Sequence, residues 1–397
     1  MPDSKFTRRQ ALAGVASSVL IVKAKTAFGT EANSAVSFGI IGTGGRGSYV
    51  GTHMTKDSNA RLVAVCDVFQ DRLEAAKKRI PGADNARAYR DYKELLAQRD
   101  LDAVLIATPV FLHPEHFEAA VAAGKHIYCE KPAGADVAGV KRLMRAGEKA
   151  AKDRVIFFGF QQRYSPEYLK ALELLTAGKI GEMKLMTSFW VLGGTPPGAF
   201  KSPYPPEEQK IRHWGRWMET SGGPIVEQDC HGLDTLNWFA GDKHPVRAVG
   251  SGGLRYPVGY GDWTTDHQDI QFFYPGGLEG WLLSAKHTAG YREVREQFFG
   301  SAGVLETART YYKLHGPIAS SPLANADDLR DRSLIERADS KREITIDEVE
   351  TFFRSIVGKR PANMAQTSGE STLTAILGRM AVEQKREVTW DEMLKTG

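Results

Sequence analysis

The chain has 397 residues, 42% of them apolar and 25% charged, with a formal net charge of +4. That is the composition of an ordinary soluble globular protein with room for two domains, and a small basic excess without any stripe of basic and aromatic residues argues against nucleic acid as a partner. Cys66, Cys129 and Cys230 are far apart and form no C-x-x-C pair, so neither a zinc site nor a redox dithiol is indicated.

In chain order the first feature is Lys5-Phe6-Thr7-Arg8-Arg9-Gln10-Ala11-Leu12, followed by a modestly apolar run to Val22 and small residues from Ala24 to Gly29. It resembles a twin-arginine export signal over residues 1–30. The export machinery is then an expected partner, and the folded protein is expected in the periplasm or otherwise exported. Ala11 stands where such signals usually hold Phe, and Lys23 and Lys25 interrupt the end of the run. The run is too short, and too rich in Ala, Gly and Ser, to form a stable membrane span.

Residues 36–155 read as a Rossmann dinucleotide-binding domain. A strand ending at Ile41 leads into Gly42-Thr43-Gly44-Gly45-Arg46-Gly47, and a second apolar run, Leu62 to Cys66, ends at Asp67, twenty residues after Gly47. The three glycines of G-x-G-x-x-G serve a tight turn, close approach of a pyrophosphate and close packing of the next helix. Asp67 is placed to accept from both ribose hydroxyls and to repel a 2′-phosphate, which favours NAD over NADP, while nearby Arg72 softens that repulsion. A buried strand from Asp100 ends at Thr108-Pro109, Pro114 to Ala123 reads as a helix, and Lys125 to Cys129 is a further strand ending at Glu130-Lys131-Pro132. The strand ends at Gly42, Asp67, Thr108 and Glu130 therefore share the carboxyl edge of a parallel sheet, where open α/β folds bind ligands. A helix from Val137 to Ala151 and a strand from Val155 to Phe160 complete the half.

Residues 156–397 read as an α+β domain with an open, mainly antiparallel sheet. Its strands are Met183 to Trp190, Ala248 to Gly253, Asp269 to Tyr274, Leu278 to Ser284 and Gln297 to Gly300. A Pro-, Gly- and aromatic-rich stretch from Gly193 to Trp217, including Phe200, Tyr204, His213 and Trp214, has the length of a functional loop. Its aromatic faces either stack on a sugar ring or pin the loop to the core. Ser320 to Lys341 reads as a polar surface excursion, and Glu348 to Ile356 and Thr367 to Gln384 as helices returning to the body.

Glu227 and His231, four residues apart after Gly222-Gly223-Pro224, share one face if that segment is helical, with Asp234 a turn further on and Asp229 pointing elsewhere. His231 suits general acid/base work. A metal at this acidic cluster would need further ligands from His213, His267 or His287, and no such convergence is visible, so no metal is expected.

Several of these strings together carry a resemblance: Gly39 to Gly47, Ala107-Thr108-Pro109 with His113 beyond it, Gly124-Lys125-His126 leading to Glu130-Lys131-Pro132, Gly159-Phe160-Gln161-Gln162-Arg163, Gly222 to His231, and Val388 to Glu392. The chain resembles the Gfo/Idh/MocA family of sugar and cyclitol oxidoreductases over nearly its whole length after the signal. The resemblance implies that Lys131 lies beside the nicotinamide and hydrogen-bonds the reacting oxygen, on a Lys131–Pro132 bond that is a candidate for cis. His231 matches the family's acid/base position, and Glu227 replaces the commoner Asp. Gly42, Gly44, Gly45, Arg46, Gly47, Asp67, Thr108, Pro109, His113, Glu130 and Lys131 are then the expected cofactor contacts, and Arg163, Trp214 and Asp234 the expected substrate contacts. The other face of the sheet would serve a homodimer or homotetramer, as is usual in the family. The expected activity is hydride transfer between a retained nicotinamide cofactor and a sugar, sugar acid, cyclitol or glycoside. NAD-dependent glycoside cleavage by transient oxidation and elimination is the alternative, and a non-catalytic carbohydrate-binding protein stands behind both.

Overall fold

The computed structural model describes residues 35–193, 202–255, 261–286, 288, 290–317 and 332–397. The signal-like segment, Phe200 and His287 lie outside them, as do residues 318–331.

The first half is built on short apolar strands: β1 (Ser37–Ile41), β2 (Arg61–Cys66), β3 (Arg87–Tyr89), β4 (Ala103–Ile106), β5 (His126–Cys129) and β6 (Val155–Phe158). β1, β4 and β6 are buried at every position, the mark of a parallel sheet covered on both faces. With β15 (Ala362–Asn363) at one edge, the order is β15-β6-β5-β4-β1-β2-β3, with every pairing parallel. β1 thus lies between β4 and β2, at the switch point where nucleotide sites form. β15 is Ala362–Asn363, far along the chain, so the C-terminal region contributes an edge strand to the first sheet.

The second sheet comprises β7 (Met183–Val191), β8 (Arg247–Gly253), β9 (His267–Phe273), β10 (Glu279–Ala285), β11 (Glu293–Gly300), β12 (Val304–Ala308), β13 (Tyr311–His315), β14 (Leu334–Asp339) and β16 (Val388–Thr389). Its order is β14-β13-β12-β11-β7-β10-β9-β8-β16. Only β7 and β10 pair parallel, so the sheet is mixed and mostly antiparallel. β12 and β13 are additions to the sequence-based reading. Leu334–Asp339 corrects it, since that stretch is an edge strand rather than a surface excursion. Its charged Glu336, Arg337 and Asp339 are what an edge strand uses to discourage further pairing.

The connection between the halves is the helix Ala365–Gln384, buried along most of its length through Ser, Thr, Gly and Ala. Small residues let it lie close to its neighbours: a Cβ at Gly369 would fall 2.4 Å from Met144, and one at Gly378 2.8 Å from the Phe272 ring. The same helix fixes both catalytic candidates. Thr372 accepts from the Ala133 N–H at 2.9 Å, holding the turn after Lys131. Thr374 accepts from Asn237 at 2.9 Å, holding the helix that carries His231. Among the described residues no helix is long and apolar enough to cross a membrane.

Candidate active site

The nucleotide end is shaped by backbone proximity. Gly42 has φ +90°, and a Cβ there would sit 2.7 Å from the Ala107 carbonyl. A Cβ on Gly47 would fall 1.9 Å from the Gly42 carbonyl oxygen, so neither position admits a side chain. The helix Gly45–Lys56 begins here with no acidic residue in its first turn, and space is open where a Cβ on Gly45 would be. Its N–H groups and dipole fit a dinucleotide pyrophosphate. Asp67 is held by the turn: one carboxylate oxygen accepts from Thr43 N at 2.9 Å and Thr43 Oγ1 at 3.2 Å, the other from Phe69 N at 3.1 Å. Arg72 reaches back so far that a Cβ on Gly44 would lie 2.4 Å from its Nη1.

Along the same edge, His113 lies buried between two loops, with Nδ1 2.7 Å from the Pro132 carbonyl and Nε2 2.9 Å from that of Thr108. It ties the turn holding Pro109 to the turn holding Lys131, a bracing position rather than an open contact. Thr108 Oγ1 lies 3.0 Å from His116 Nδ1. Glu130 is paired with Arg46 Nε at 2.8 Å and packs over Gly159, where a Cβ would lie 2.7 Å from its Oε2. Behind it Tyr128 donates to Glu348 at 2.5 Å, and burial pushes the Glu348 carboxyl well up.

The Lys131–Pro132 peptide is cis. Lys131 Nζ donates to the Glu227 carbonyl and lies 3.2 Å from Glu227 Oε1. Burial alone would lower the ammonium, but Glu227, with Cys230 and Glu130, outweighs it and holds the group above the ordinary lysine range. Ile225–Asp229 is a π-helical turn that passes into the α-helix Cys230–Phe239. π turns often mark functional sites, and here the wider winding replaces the simple helical face expected from spacing.

The consequence is a redistribution of the acidic cluster. Glu227 meets Lys131, while His231 stacks on Trp190 with ring centres 5.4 Å apart and planes 10° apart, and meets Phe160 edge-on. Asp229 is fully buried and accepts from Lys286 at 2.7 Å and Gln268 at 2.8 Å. Asp234, expected at the substrate, is fully buried too: Arg163 grips it through Nε and Nη2 at 2.8 and 2.9 Å, and Ser371 donates at 2.7 Å. Arg163 also pairs with Asp242. Arg163 and Asp234 therefore satisfy each other and brace the helix under His231, instead of presenting free groups to a ligand. With Asp229 and Asp234 so engaged, no group of three or more His, Cys, Asp or Glu among the described residues could hold a metal ion.

Burial, then the charges of Lys131, Arg309 and Arg46, hold the His231 imidazole well below the usual histidine range, so it stands as a neutral base. Its Nδ1 is buried without a hydrogen-bond partner, as are Trp190 Nε1 and both amide atoms of Gln162. Trp190, not Trp214, supplies the aromatic ring beside this base. The segment with Trp214 is anchored elsewhere, through the helix Pro206–Arg212. Arg212 lies between the rings of Phe69 and Tyr204, at 3.7 and 4.2 Å, and forms a two-bond pair with Asp71 at 2.8 and 2.9 Å. Phe69 and Asp71 lie two and four residues after Asp67, so this clamp sits on the turn that leaves the end of β2. Sequence reasoning missed Trp190 and Arg212; the position of Trp190 at the end of a predicted strand was its only signal.

The fold agrees with the comparisons to known proteins. The family model described as "Oxidoreductase family, NAD-binding Rossmann fold" matches residues 36–158, and the GFO/IDH/MocA C-terminal domain matches residues 168–306. The myo-inositol 2-dehydrogenase of Thermotoga maritima is 25% identical over 362 residues, 90% of this chain and 99% of the relative. The inositol 2-dehydrogenase of Rhizobium meliloti is 27% identical over 274 residues, 68% of this chain and 74% of the relative. Among solved structures, scyllo-inositol dehydrogenase from Lactobacillus casei with bound NAD(H) and scyllo-inositol superposes with a TM-score of 0.69 at 23% identity, covering 90% of this chain and 99% of that one. A levoglucosan dehydrogenase in complex with NADH and levoglucosan gives a TM-score of 0.72 at 17% identity, covering 89% and 99%.

Proposed function

Because the chain belongs to the Gfo/Idh/MocA family of NAD-dependent oxidoreductases acting on CH–OH groups, we propose that it oxidises a ring hydroxyl of a cyclitol or sugar at the cleft between Lys131 and His231. Bound NAD would supply the hydride acceptor. The observation that carries the reading is a largely buried Lys131 ammonium held by Glu227, its charge felt at a buried His231 imidazole whose Nδ1 has no partner, on two elements fixed by one helix. Lys131 polarises the reacting oxygen and stabilises developing alkoxide charge. His231 takes the hydroxyl proton and returns it in the reverse direction. Glu227 keeps Lys131 charged and aimed. The test is a panel of cyclitols and sugars offered to the NAD-loaded protein, followed by the absorbance of reduced nicotinamide. Turnover of at least one ring polyol is expected, and failure of all of them would remove the proposal.

The depressed His231 value fixes a pH profile. The neutral ring is the active base, so kcat/KM for oxidation should stay level as pH falls to 6.5, the ordinary histidine value, and drop only below it. An acid limb centred at or above that value would show that another group accepts the proton.

We also infer that the cofactor is retained between turnovers, as suits a protein exported after folding. The Arg212 clamp on the turn after Asp67 supports this. Arg212→Ala should release bound NAD at least about tenfold faster, corresponding to ~1.4 kcal/mol, in a dilution experiment; an unchanged release rate would dissociate the clamp from retention. Trp281 and Leu283 stand exposed on the outer face of the second sheet, which supports assembly through that face. Light scattering is expected to give a dimer or tetramer, and Trp281→Glu should shift it toward monomer.

A further inference from the structure

Among the described residues, the charges of Lys131, Arg309 and Arg46 are felt at His231, and two of them have countercharges: Arg46 has Glu130 and Lys131 has Glu227. The third is Arg309. It pairs with no carboxylate of the described residues, and its Nε is buried without a hydrogen-bond partner. Arg309 follows β12 on the same alternation as the buried Leu305 and Thr307, which places it on the inner face of the sheet, toward the cleft. Its guanidinium carbon lies 5.6 Å from the centre of the Trp190 ring, the ring that stacks on His231. The guanidinium is thus one aromatic ring away from the base, close enough that its charge is felt there.

The two carboxylates whose charge reaches it, Glu343 and Glu296, form no ion pair with it; the Glu343 side chain accepts from Thr345 N and Oγ1. Glu296 accepts from Tyr168 at 2.9 Å and Thr307 at 3.0 Å, and burial pushes its carboxyl up to about 7. A desolvated guanidinium without an anion is costly, and the cost is recovered when a ligand brings the anion.

We propose that the substrate of this cleft is a sugar acid whose carboxylate is received by Arg309 while Lys131 and His231 act on a ring hydroxyl. This rests on the dehydrogenase reading given above and narrows its substrate class. One unpaired guanidinium matches one carboxylate; a phosphate, with up to two charges, would call for a second free cation, and Arg46 and Lys131 are already engaged. The carboxylate takes no part in the hydride and proton transfers. It orients the ring, and the planar two-bond fork that Arg offers to carboxylates supplies the specificity.

The test uses the full-length NAD-loaded protein with two ring-forming acids, glucuronate and galacturonate, against glucose, galactose and myo-inositol. The acids are expected to have kcat/KM at least about 100-fold higher, the scale of a charge-assisted hydrogen-bonded pair. Arg309→Gln should cut the acid-to-neutral ratio at least about 30-fold, mainly through KM, and Arg309→Lys should restore part of it. Neutral polyols used as well as the acids, or a variant that lowers both classes equally, would overturn the proposal. If Arg309→Gln does not fold, calorimetry on the unaltered protein decides: glucuronate should bind at least tenfold tighter than uncharged glucuronamide, and equal binding would refute the anion site. If nothing in the panel reduces the cofactor, the dehydrogenase reading fails, and the same calorimetric comparison still reads out Arg309.

Discussion

Replacing Lys131 with alanine is expected to lower kcat for polyol oxidation about 10³-fold while NAD remains bound, the upper scale for removing one preorganised charge from a developing oxyanion. The ammonium is held by the Glu227 carboxylate and carbonyl and is largely shielded from solvent, so a water entering its place would stabilise the oxygen less strongly than a fixed charge. The dinucleotide contacts lie mainly elsewhere, at the Gly42–Gly47 turn and Asp67, so affinity for NAD should change little. The variant therefore separates chemistry from binding: kcat falls and the dissociation constant of NAD does not. A full rate with Lys131→Ala would show that another group stabilises the oxygen.

His231→Ala should lower kcat about 10²- to 10³-fold, the range of a positioned acid/base group. His231→Asn keeps a polar side chain but cannot cycle a proton, and should be nearly as slow. The pH profile distinguishes this from a packing defect. His231 stacks on Trp190, so a small side chain also opens space, but packing loss alone would leave the acid limb where it was. Loss of both rate and acid limb assigns the proton to His231, and retention of the limb would take it away.

The nucleotide half was legible because its signals are local. Gly42 and Gly47 answer to backbone crowding within the turn itself, and the buried strands β1, β4 and β6 announce themselves as continuous apolar runs. The roles expected of Lys131 and His231 came from the motifs that carry the family resemblance, and in the fold the charge of Lys131 is felt at His231. What could not be read from spacing was how the acidic residues after Pro224 divide their work. The π turn at Ile225–Asp229 changes the winding, and the partners that claim the carboxylates, Lys286 for Asp229 and Arg163 for Asp234, come from 57 and 71 residues away. Asp234 was expected at the ligand because helical spacing put it on the face of Glu227 and His231, and Arg163 because it closes a motif of the family resemblance; here they satisfy each other. The strand at Leu334–Asp339 was hidden by its charges, which reflect its place at the sheet edge. Trp190 and Arg309 meet only because β7, β11 and β12 lie side by side, a relation of register that no local pattern contains.

The central claim is that Lys131 and His231 oversee transfer of a carbon-bound hydrogen from a ring CH–OH to NAD. It is tested most directly in a single turnover with a polyol or sugar acid deuterated at its ring carbinol carbons, followed by denaturation and mass analysis of the released dinucleotide. Reduced dinucleotide carrying one deuterium is expected from the unaltered protein, with its formation slowed about 10²-fold or more in Lys131→Ala and His231→Ala. Dinucleotide recovered unreduced and unlabelled after complete conversion of the substrate, or labelled at the unaltered rate in both variants, would contradict the account.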